Sequence, residues 1–139
     1  MTDFDRNAFN AQIVEEFRAN DGVVGGDFEG APMVLVHHVG AKSGTERVSP
    51  LVYQQLDDGW AIFASAAGSP KSPDWFHNLV ANPDTQVEIG TDVFDVTATV
   101  ASSEQRDPIW ERQKEWAPQF AEYEAATTRT IPVVLLHRR

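Results

Sequence analysis

The hydrophobic pattern of the chain changes near residue 33 from a helical period to a strand period. Before that point, large apolar side chains recur every four positions, which predicts an amphipathic helix over residues 4–19. A glycine-rich loop follows, so that residues 1–30 form a predicted N-terminal helix and loop. The glycines of this loop do not follow the G-x-G-x-x-G order of a dinucleotide-binding fold.

After that point, short runs of apolar and β-branched residues predict six strands. These runs cover residues 33–39, 47–55, 60–65, 85–90, 93–100 and 131–137. Most of the connections between them are short, and an Asp-Asp-Gly turn joins the second run to the third. Strands and helices do not alternate regularly, which makes a doubly wound parallel sheet the weaker interpretation.

Two helical segments interrupt the strands. The first covers residues 73–80 and ends before an Asn-Pro pair, because proline disfavours helix in the residue that precedes it. The second begins at a capping box formed by Ser102 and Gln105 and extends to about residue 127. Its two prolines are expected to break or kink it. The pattern therefore predicts a small antiparallel barrel of the α+β class with flanking helices.

Length and composition limit the possible functions. The 139 residues suffice for a single domain with one core, over residues 1–139. A net charge of −10 argues against nucleic acid as a partner, because basic faces supply most of the affinity for phosphate backbones. The chain has no cysteine, and hence no disulfide and no sulfur-based zinc site.

The chain shows no targeting signal that we recognise. No segment approaches the roughly 20 apolar residues of a transmembrane helix, and the acidic N-terminus is unlike a signal peptide. We therefore expect a cytoplasmic protein, although an apolar patch would still allow peripheral contact with the inner face of a membrane.

The stretch from Gly40 to Arg47 concentrates positive charge in an acidic protein. It carries Lys42, Ser43 and Gly44, so that two cations, flexible glycines and backbone N–H groups lie together. The order differs from a Walker A motif, in which lysine and a hydroxyl follow the second glycine. One interpretation is a loop that binds phosphate or carboxylate oxygens. The alternative is a hairpin loop whose charges are merely solvated.

A second stretch, residues 64–79, joins small residues to the start of a helix. Small side chains leave open space in which a flat ring could lie, and Trp75 could form an aromatic wall for it. Asn78, three residues on, shares the same helix face and offers both a donor and an acceptor. The alternative is that Trp75 and Leu79 are simply the buried side of this helix.

Other polar residues give weaker signals. His37 and His38 are adjacent in a strand and point to opposite faces, which does not suit a metal site. No ordered serine, acid and histidine set indicates a hydrolase. Tyr123 could donate a proton to a substrate or orient it, or it could be a helix residue that covers the core.

Taken together, three motifs resemble the deazaflavin-dependent nitroreductase family over about 120 residues. They are Gly40-x-Lys42-Ser43-Gly44-x-x-Arg47-x-x-Pro50-Leu51, then Ala64-Ser65-x-x-Gly68-x-Pro70-x-x-Pro73-x-Trp75-x-x-Asn78-Leu79-x-Ala81-Asn82-Pro83, then Tyr123 with Arg129-Thr130-Ile131-Pro132. The resemblance implies a split β-barrel similar to the FMN-binding barrel, with six mostly antiparallel strands. It also implies coenzyme F420, an 8-hydroxy-5-deazaflavin, as the cofactor.

The same resemblance assigns residues to the cofactor. Lys42, Ser43 and Arg47 match positions that hold its phosphate and glutamate tail, and Pro50 and Leu51 are among those that line its ring. The full implied set is Lys42, Ser43, Gly44, Arg47, Val48, Pro50, Leu51, Ala64, Ser65, Ala66, Gly68, Pro73, Trp75 and Asn78. Tyr123 is the implied catalytic residue.

The resemblance also contains departures. Ala66 stands where some members have lysine, and Ala117 and Phe120 stand where the nitro-drug-activating members have tyrosines, which disfavours nitroimidazole activation. The predicted reaction is hydride transfer from reduced F420 to a quinone, enone, nitro compound or similar electron-poor acceptor. An FMN-dependent oxidoreductase and a non-catalytic deazaflavin or lipid carrier are the alternatives. Analogy with split-barrel flavoproteins also allows a homodimer.

Overall fold

The computed structural model describes residues 6–25, 30–57, 59–65 and 72–139. Four helices and six strands lie in these ranges. In chain order they are α1 (Arg6–Ala19), β1 (Met33–Val39), β2 (Glu46–Gln55), β3 (Gly59–Phe63), α2 (Asp74–Ala81), β4 (Asp84–Ile89), β5 (Asp92–Val100), α3 (Ser103–Trp116), α4 (Gln119–Ala125) and β6 (Val133–Arg138). Each predicted element is present, and its described ends lie within two residues of the prediction.

The six strands close into a barrel in the order β1-β2-β3-β6-β5-β4. Every neighbouring pair is antiparallel, including the pair of β1 with β4 that closes the barrel. This arrangement confirms the predicted antiparallel barrel with flanking helices. No helix in the described ranges has both the length and the apolar character that crossing a membrane requires.

Alternation along the strands separates an inner core from two outer clusters. The inner core takes apolar side chains from all six strands, and Trp75 and Leu79 of α2 pack into it. Outside the barrel, α1 covers β1 and β2 through Ile13 and Phe17. On another side, α3 and α4 cover β3 and β6, with Trp110 at the centre of the cluster. Helices α1, α3 and α4 thus cover outer faces of the barrel, whereas α2 packs its apolar side into the inner core.

The long helical segment near the C-terminus is divided where the sequence predicts a break. The capping box is present, since the Gln105 N–H donates to Ser102 Oγ at 3.3 Å and Gln105 Oε1 accepts from the Ser102 N–H at 3.0 Å. The helix ends before Pro118, as expected. It continues through Pro108, where no break is found. The missing Pro108 N–H leaves only one carbonyl without its partner, and that carbonyl belongs to the exposed Glu104, where water can bind it.

Candidate functional site

The loop between β1 and β2 forms a compact turn over residues 40–45. The Gly40 N–H donates to the Thr45 carbonyl oxygen at 2.9 Å, and the Gly44 N–H donates to the Gly40 carbonyl oxygen at 2.9 Å. Gly44 has a φ of +69°, a left-handed conformation that glycine adopts without steric cost. A Cβ atom at Gly40 would overlap the Ser43 hydroxyl. Gly44 therefore suits this turn, and a side chain at Gly40 would require the Ser43 hydroxyl to move.

Lys42 and Arg47 form a positive patch at this turn. Both are exposed, and the described part of the chain provides neither with an ion pair or a hydrogen bond. The carboxylate closest in sequence, Glu46, binds the His37 ring at 3.1 Å on the other face of the strands. In a chain with a net charge of −10, this unneutralised patch favours an anionic ligand.

The barrel is open beside this patch. Only Tyr53–Gln55 of β2 pair with β3, and within the described residues no strand pairs with the first half of β2 on that side. The Tyr53 N–H donates towards β1, to the Pro32 carbonyl oxygen at 3.0 Å. Because N–H groups alternate between the two edges of a strand, the Val48 N–H points to the open side. Pro50 falls on the same side, where its missing N–H removes no ladder hydrogen bond.

A groove of about 650 Å³ lies between α1 and the first half of β2. It is lined by Asn10, Ala11, Val14, Glu15, Arg18, Arg47, Val48 and Ser49. The groove thus brings together two residues that the resemblance assigns to the cofactor, Arg47 and Val48, and one that it does not, Ser49.

A chain of hydrogen bonds connects α2 to the loop and to this groove. The Ala41 N–H donates to Asn78 Oδ1 at 2.9 Å, and Asn78 Nδ2 lies 2.9 Å from His38 Nδ1. The other ring nitrogen, His38 Nε2, lies 2.8 Å from Ser49 Oγ. Both Asn78 and His38 are buried. In the structure, Asn78 therefore holds the loop in place from within the protein.

His38 is predicted to make the stability of the protein depend on pH. Its burial, together with the charge of Arg47 and a smaller effect of His37, lowers the pKa of His38 below the usual 6.5, although Asp74 opposes the shift. His38 therefore binds a proton more readily in the unfolded chain than in the folded protein. As a result, the free energy of unfolding decreases as the pH drops below about 6.5. Urea unfolding at about pH 7.5 and about pH 5.5 measures this loss. The matched variant His38→Gln is expected to lose less stability between these pH values, and an equal loss would contradict this role of His38.

Arg129 holds the end of β3. Its Nη2 donates to the carbonyl oxygens of Ala64 at 2.9 Å and Ser65 at 3.1 Å, and its Nη1 donates to Ser72 Oγ at 3.3 Å. Ser72 directly precedes Pro73, the N-cap residue of α2. One side chain thus connects two segments that the resemblance assigns to the deazaflavin ring.

Trp75 packs inside the barrel with only 6% of its surface exposed. It belongs to the inner core with Leu79, and the half-buried Leu51 packs against the same core. The alternative drawn from the sequence, a helix with a buried apolar side, therefore describes the packing of Trp75 and Leu79. Little of the Trp75 ring is left for contact with a ligand.

Tyr123 lies on α4, in the outer cluster over β3 and β6. Its ring meets Phe120 edge-on at 5.3 Å, and Phe120 meets Phe63 edge-on at 5.4 Å. The Tyr123 hydroxyl has no hydrogen-bond partner among the described residues. Ala117 and Phe120 are buried in the same cluster, so their side chains give a ligand little access.

Not all of the predicted site residues come together. Ala66 and Gly68 lie outside the described residues. Tyr123 and the loop that carries Lys42 and Arg47 belong to different sides of the barrel, with no described contact between them. Nowhere in the described ranges do three or more histidine or acidic side chains form a possible metal site.

Sequence reasoning missed the contributions of His38, Ser49 and Arg129. From the sequence, His38 is only half of a possible metal-binding pair, Arg129 is only part of a motif, and Ser49 has no assigned role. The available signal was the alternation of the strand, which places a polar histidine on the face of β1 that Val34 and Val36 turn to the core. A polar residue on a buried face requires a hydrogen-bond partner.

Three comparisons place the chain among known proteins. A model of the F420H(2)-dependent quinone reductase family matches residues 10–138. The F420H(2)-dependent quinone reductase Rv1261c of Mycobacterium tuberculosis is 39% identical over 127 residues, which are 88% of this chain and 85% of that protein. A solved F420-H2 dependent reductase, FDR-A, shares 39% identity with a TM-score of 0.69, over 76% of this chain and 94% of that one. Another solved structure, described as a domain-swapped dimer, shares 36% identity with a TM-score of 0.71, over 94% of this chain and 96% of that one. This chain therefore belongs to the F420H(2)-dependent quinone reductase family.

Proposed function

We propose that this protein binds reduced coenzyme F420 at the β1–β2 loop and uses it to reduce a quinone. The observation that carries the proposal is the pair of exposed cations, Lys42 and Arg47, which have no acidic partner among the described residues. Coenzyme F420 carries a phosphodiester and a glutamate tail, so its charge complements this patch. FMN carries a single phosphate and complements the patch less well.

The residues of the loop fit the anionic part of this cofactor. The N–H groups of Lys42 and Ser43 donate to no described protein atom, and the Val48 N–H faces the open edge of β2. With the Lys42 ammonium and the planar Arg47 guanidinium, they would hold phosphate and carboxylate oxygens. Gly44 allows the backbone turn that presents these groups.

The ring-binding part of the proposal rests on the resemblance. It assigns the ring to Pro50, Leu51, Ser65, Trp75 and Asn78. Support comes from Arg129, which connects the end of β3 to the segment before α2, and from the unpaired edge of β2 at Pro50. We infer that these two segments form the walls of the ring site.

When bound, reduced F420 supplies a hydride from its C5 atom, which together with one proton converts a quinone into the hydroquinone. The chain contributes binding and orientation, since the cofactor carries the hydride chemistry. Lys42 and Arg47 would hold the anionic end of the cofactor. A proton donor near the acceptor oxygen would complete the reaction.

We propose Tyr123 as this proton donor, because its hydroxyl has no described partner. Tyr123→Phe removes the hydroxyl and keeps the ring that packs on Phe120. We expect kcat to fall roughly 100-fold, the lower range for removal of a general acid, with an unchanged Kd for F420. Steady-state rates with several quinones measure the effect. Unchanged rates with all of them would leave Tyr123 as a residue that only covers the core.

Turnover tests the proposed reaction directly. Under anaerobic conditions, the protein is mixed with reduced F420 and a water-soluble naphthoquinone, and the return of the oxidised deazaflavin absorbance is followed. We expect catalysed oxidation that depends on the quinone. Binding of F420 without turnover would instead favour the carrier alternative, and turnover only with reduced FMN would favour the flavin alternative.

Two further predictions concern partners. A homodimer is suggested by fold analogy, and one solved relative is described as a domain-swapped dimer. Peripheral contact with a membrane is suggested by the apolar character of quinones. Both stay predictions, to be tested by sedimentation of the full chain alone and with vesicles.

A further inference from the structure

The backbone N–H of Ala41 determines which atoms donate and which accept in the hydrogen bonds of the Asn78 side chain. The Ala41 N–H can only donate, so the Asn78 atom that faces it at 2.9 Å is the carbonyl oxygen Oδ1. The amide nitrogen of Asn78 therefore faces His38 Nδ1, at 2.9 Å. An amide nitrogen can only donate, so His38 Nδ1 accepts and carries no proton.

The same reasoning extends to Ser49. A neutral imidazole carries one proton, and with Nδ1 as the acceptor this proton lies on Nε2. His38 Nε2 therefore donates to Ser49 Oγ, 2.8 Å away. Burial of His38, only 3% of which is exposed, favours this neutral form. The Ser49 oxygen already accepts one hydrogen bond, so its own proton is available for donation.

Ser49 occupies a position suited to a ligand. It is half-buried, and its hydroxyl proton has no described acceptor. Arg47 precedes it by two residues, and hence lies on the same face of β2. A hydroxyl donor and an unneutralised guanidinium on one strand face provide two groups for the same anionic oxygen cluster.

We propose that Ser49 is a ligand-binding residue that donates its hydroxyl proton to an anionic oxygen, and that His38 and Asn78 are the positioning residues that orient it. The inference rests on the proposed function, because the ligand is the phosphate or carboxylate oxygen of coenzyme F420. Asn78 contributes twice, since it holds the loop through Ala41 and orients His38. The three side chains thus couple helix α2 to the anion site.

Binding of F420 tests the role of Ser49. Ser49→Ala removes the donor, and we expect F420 to bind about ten-fold more weakly, as for one hydrogen bond to a charged group. Ser49→Thr keeps the hydroxyl in a strand position and is expected to bind within about two-fold of the wild type. Ser103→Ala on α3 is the matched control, with an unchanged Kd.

The source of the anionic oxygen can be identified with shortened forms of the cofactor. One form has the phosphodiester but no glutamate, and a second is the deazaflavin nucleoside, which has neither. A loss in Ser49→Ala that persists without glutamate assigns Ser49 to the phosphate, and a loss that requires glutamate assigns it to the tail. An equal loss with the nucleoside would overturn the proposal, because that form carries no anionic oxygen of either kind.

The positioning role is tested in the ligand-free protein by long-range ¹H–¹⁵N NMR of the His38 ring. We expect the tautomer with the proton on Nε2 in the wild type. Asn78→Asp keeps an acceptor for the Ala41 N–H but cannot donate to Nδ1, so a proton is expected to appear on Nδ1 of His38. A wild-type His38 ring with its proton on Nδ1 would overturn the proposed hydrogen bonds from Asn78 to His38 and from His38 to Ser49.

The two proposals fail in different ways. If wild-type protein does not bind F420, the proposed function fails, whatever tautomer His38 adopts. If the wild type binds F420, Arg47→Ala weakens binding and Ser49→Ala does not, the cofactor site stands and the role of Ser49 is overturned.

Discussion

The Lys42→Ala/Arg47→Ala double variant is expected to bind F420 at least about 100-fold more weakly than the wild type. In the proposed complex, each cation would form a charge-assisted contact worth about 1.5–3 kcal/mol, and two such contacts correspond to a factor of about 100 or more. Neither residue has a described partner, so removal of their charges breaks no ion pair within the protein. Fluorescence titration with oxidised F420 measures the loss.

Salt and a matched variant separate this effect from a general change of charge. We expect wild-type affinity to decrease with salt and the double variant to lose most of this dependence, because surface charges are screened. Arg112→Ala is the control, since Arg112 is an exposed cation of α3 without a described partner. Full F420 affinity in the double variant at moderate salt would remove the anionic end of the cofactor from this loop.

The second large effect is expected for Arg129→Met, which keeps a long apolar chain and removes the guanidinium. Ala64 is fully buried, so water cannot replace the donor that its carbonyl oxygen loses. Unsatisfied buried groups cost about 1–3 kcal/mol each, and we expect a loss of about 2–4 kcal/mol in the free energy of unfolding. Urea unfolding measures this loss, and F420 affinity should fall with it.

Two variants control for this change. Arg129→Lys keeps the charge but not the planar fork, and we expect an intermediate stability. Arg112→Met makes the same substitution on α3 and should leave both stability and affinity unchanged. Wild-type stability and F420 affinity in Arg129→Met would show that the end of β3 keeps its shape without the guanidinium.

Most of the fold follows from local pattern. The predicted strand at residues 33–39 matches β1 at both ends, because its run of apolar residues is bounded by glycine and proline. The predicted end of β3 at residue 65 is two residues too late. Ala64 donates its N–H to the Pro132 carbonyl oxygen, and the carbonyls of Ala64 and Ser65 bind Arg129, so the strand ladder stops at Phe63. Contacts with a segment far along the chain decide this boundary.

The candidate site was less accessible to sequence reasoning. The positive loop could be recognised because glycines and cations are adjacent in sequence. The hydrogen bonds from Asn78 through His38 to Ser49 could not be recognised in this way. They require the strand register that places Ser49 opposite Val36 and within reach of His38, and a helix that brings Asn78 to His38. The packing of Trp75 also depends on how α2 enters the barrel, which no local pattern specifies.

The family resemblance drawn from three separate motifs is confirmed by a family model that matches residues 10–138. The motifs lie on the β1–β2 loop, on α2 with the segment before it, and before β6. The structure connects them physically, through Asn78 between the first and second and through Arg129 between the second and third. The three motifs are informative together because their residues contact one another in the folded protein.

We infer that the β1–β2 loop makes this protein selective for coenzyme F420. The most direct test is titration of the purified full chain with oxidised F420 and, separately, with FMN, at low and at moderate salt. We predict tight binding of F420 that weakens with salt, and much weaker binding of FMN. Preferential binding of FMN, or F420 binding that does not respond to salt, would contradict this role of the loop.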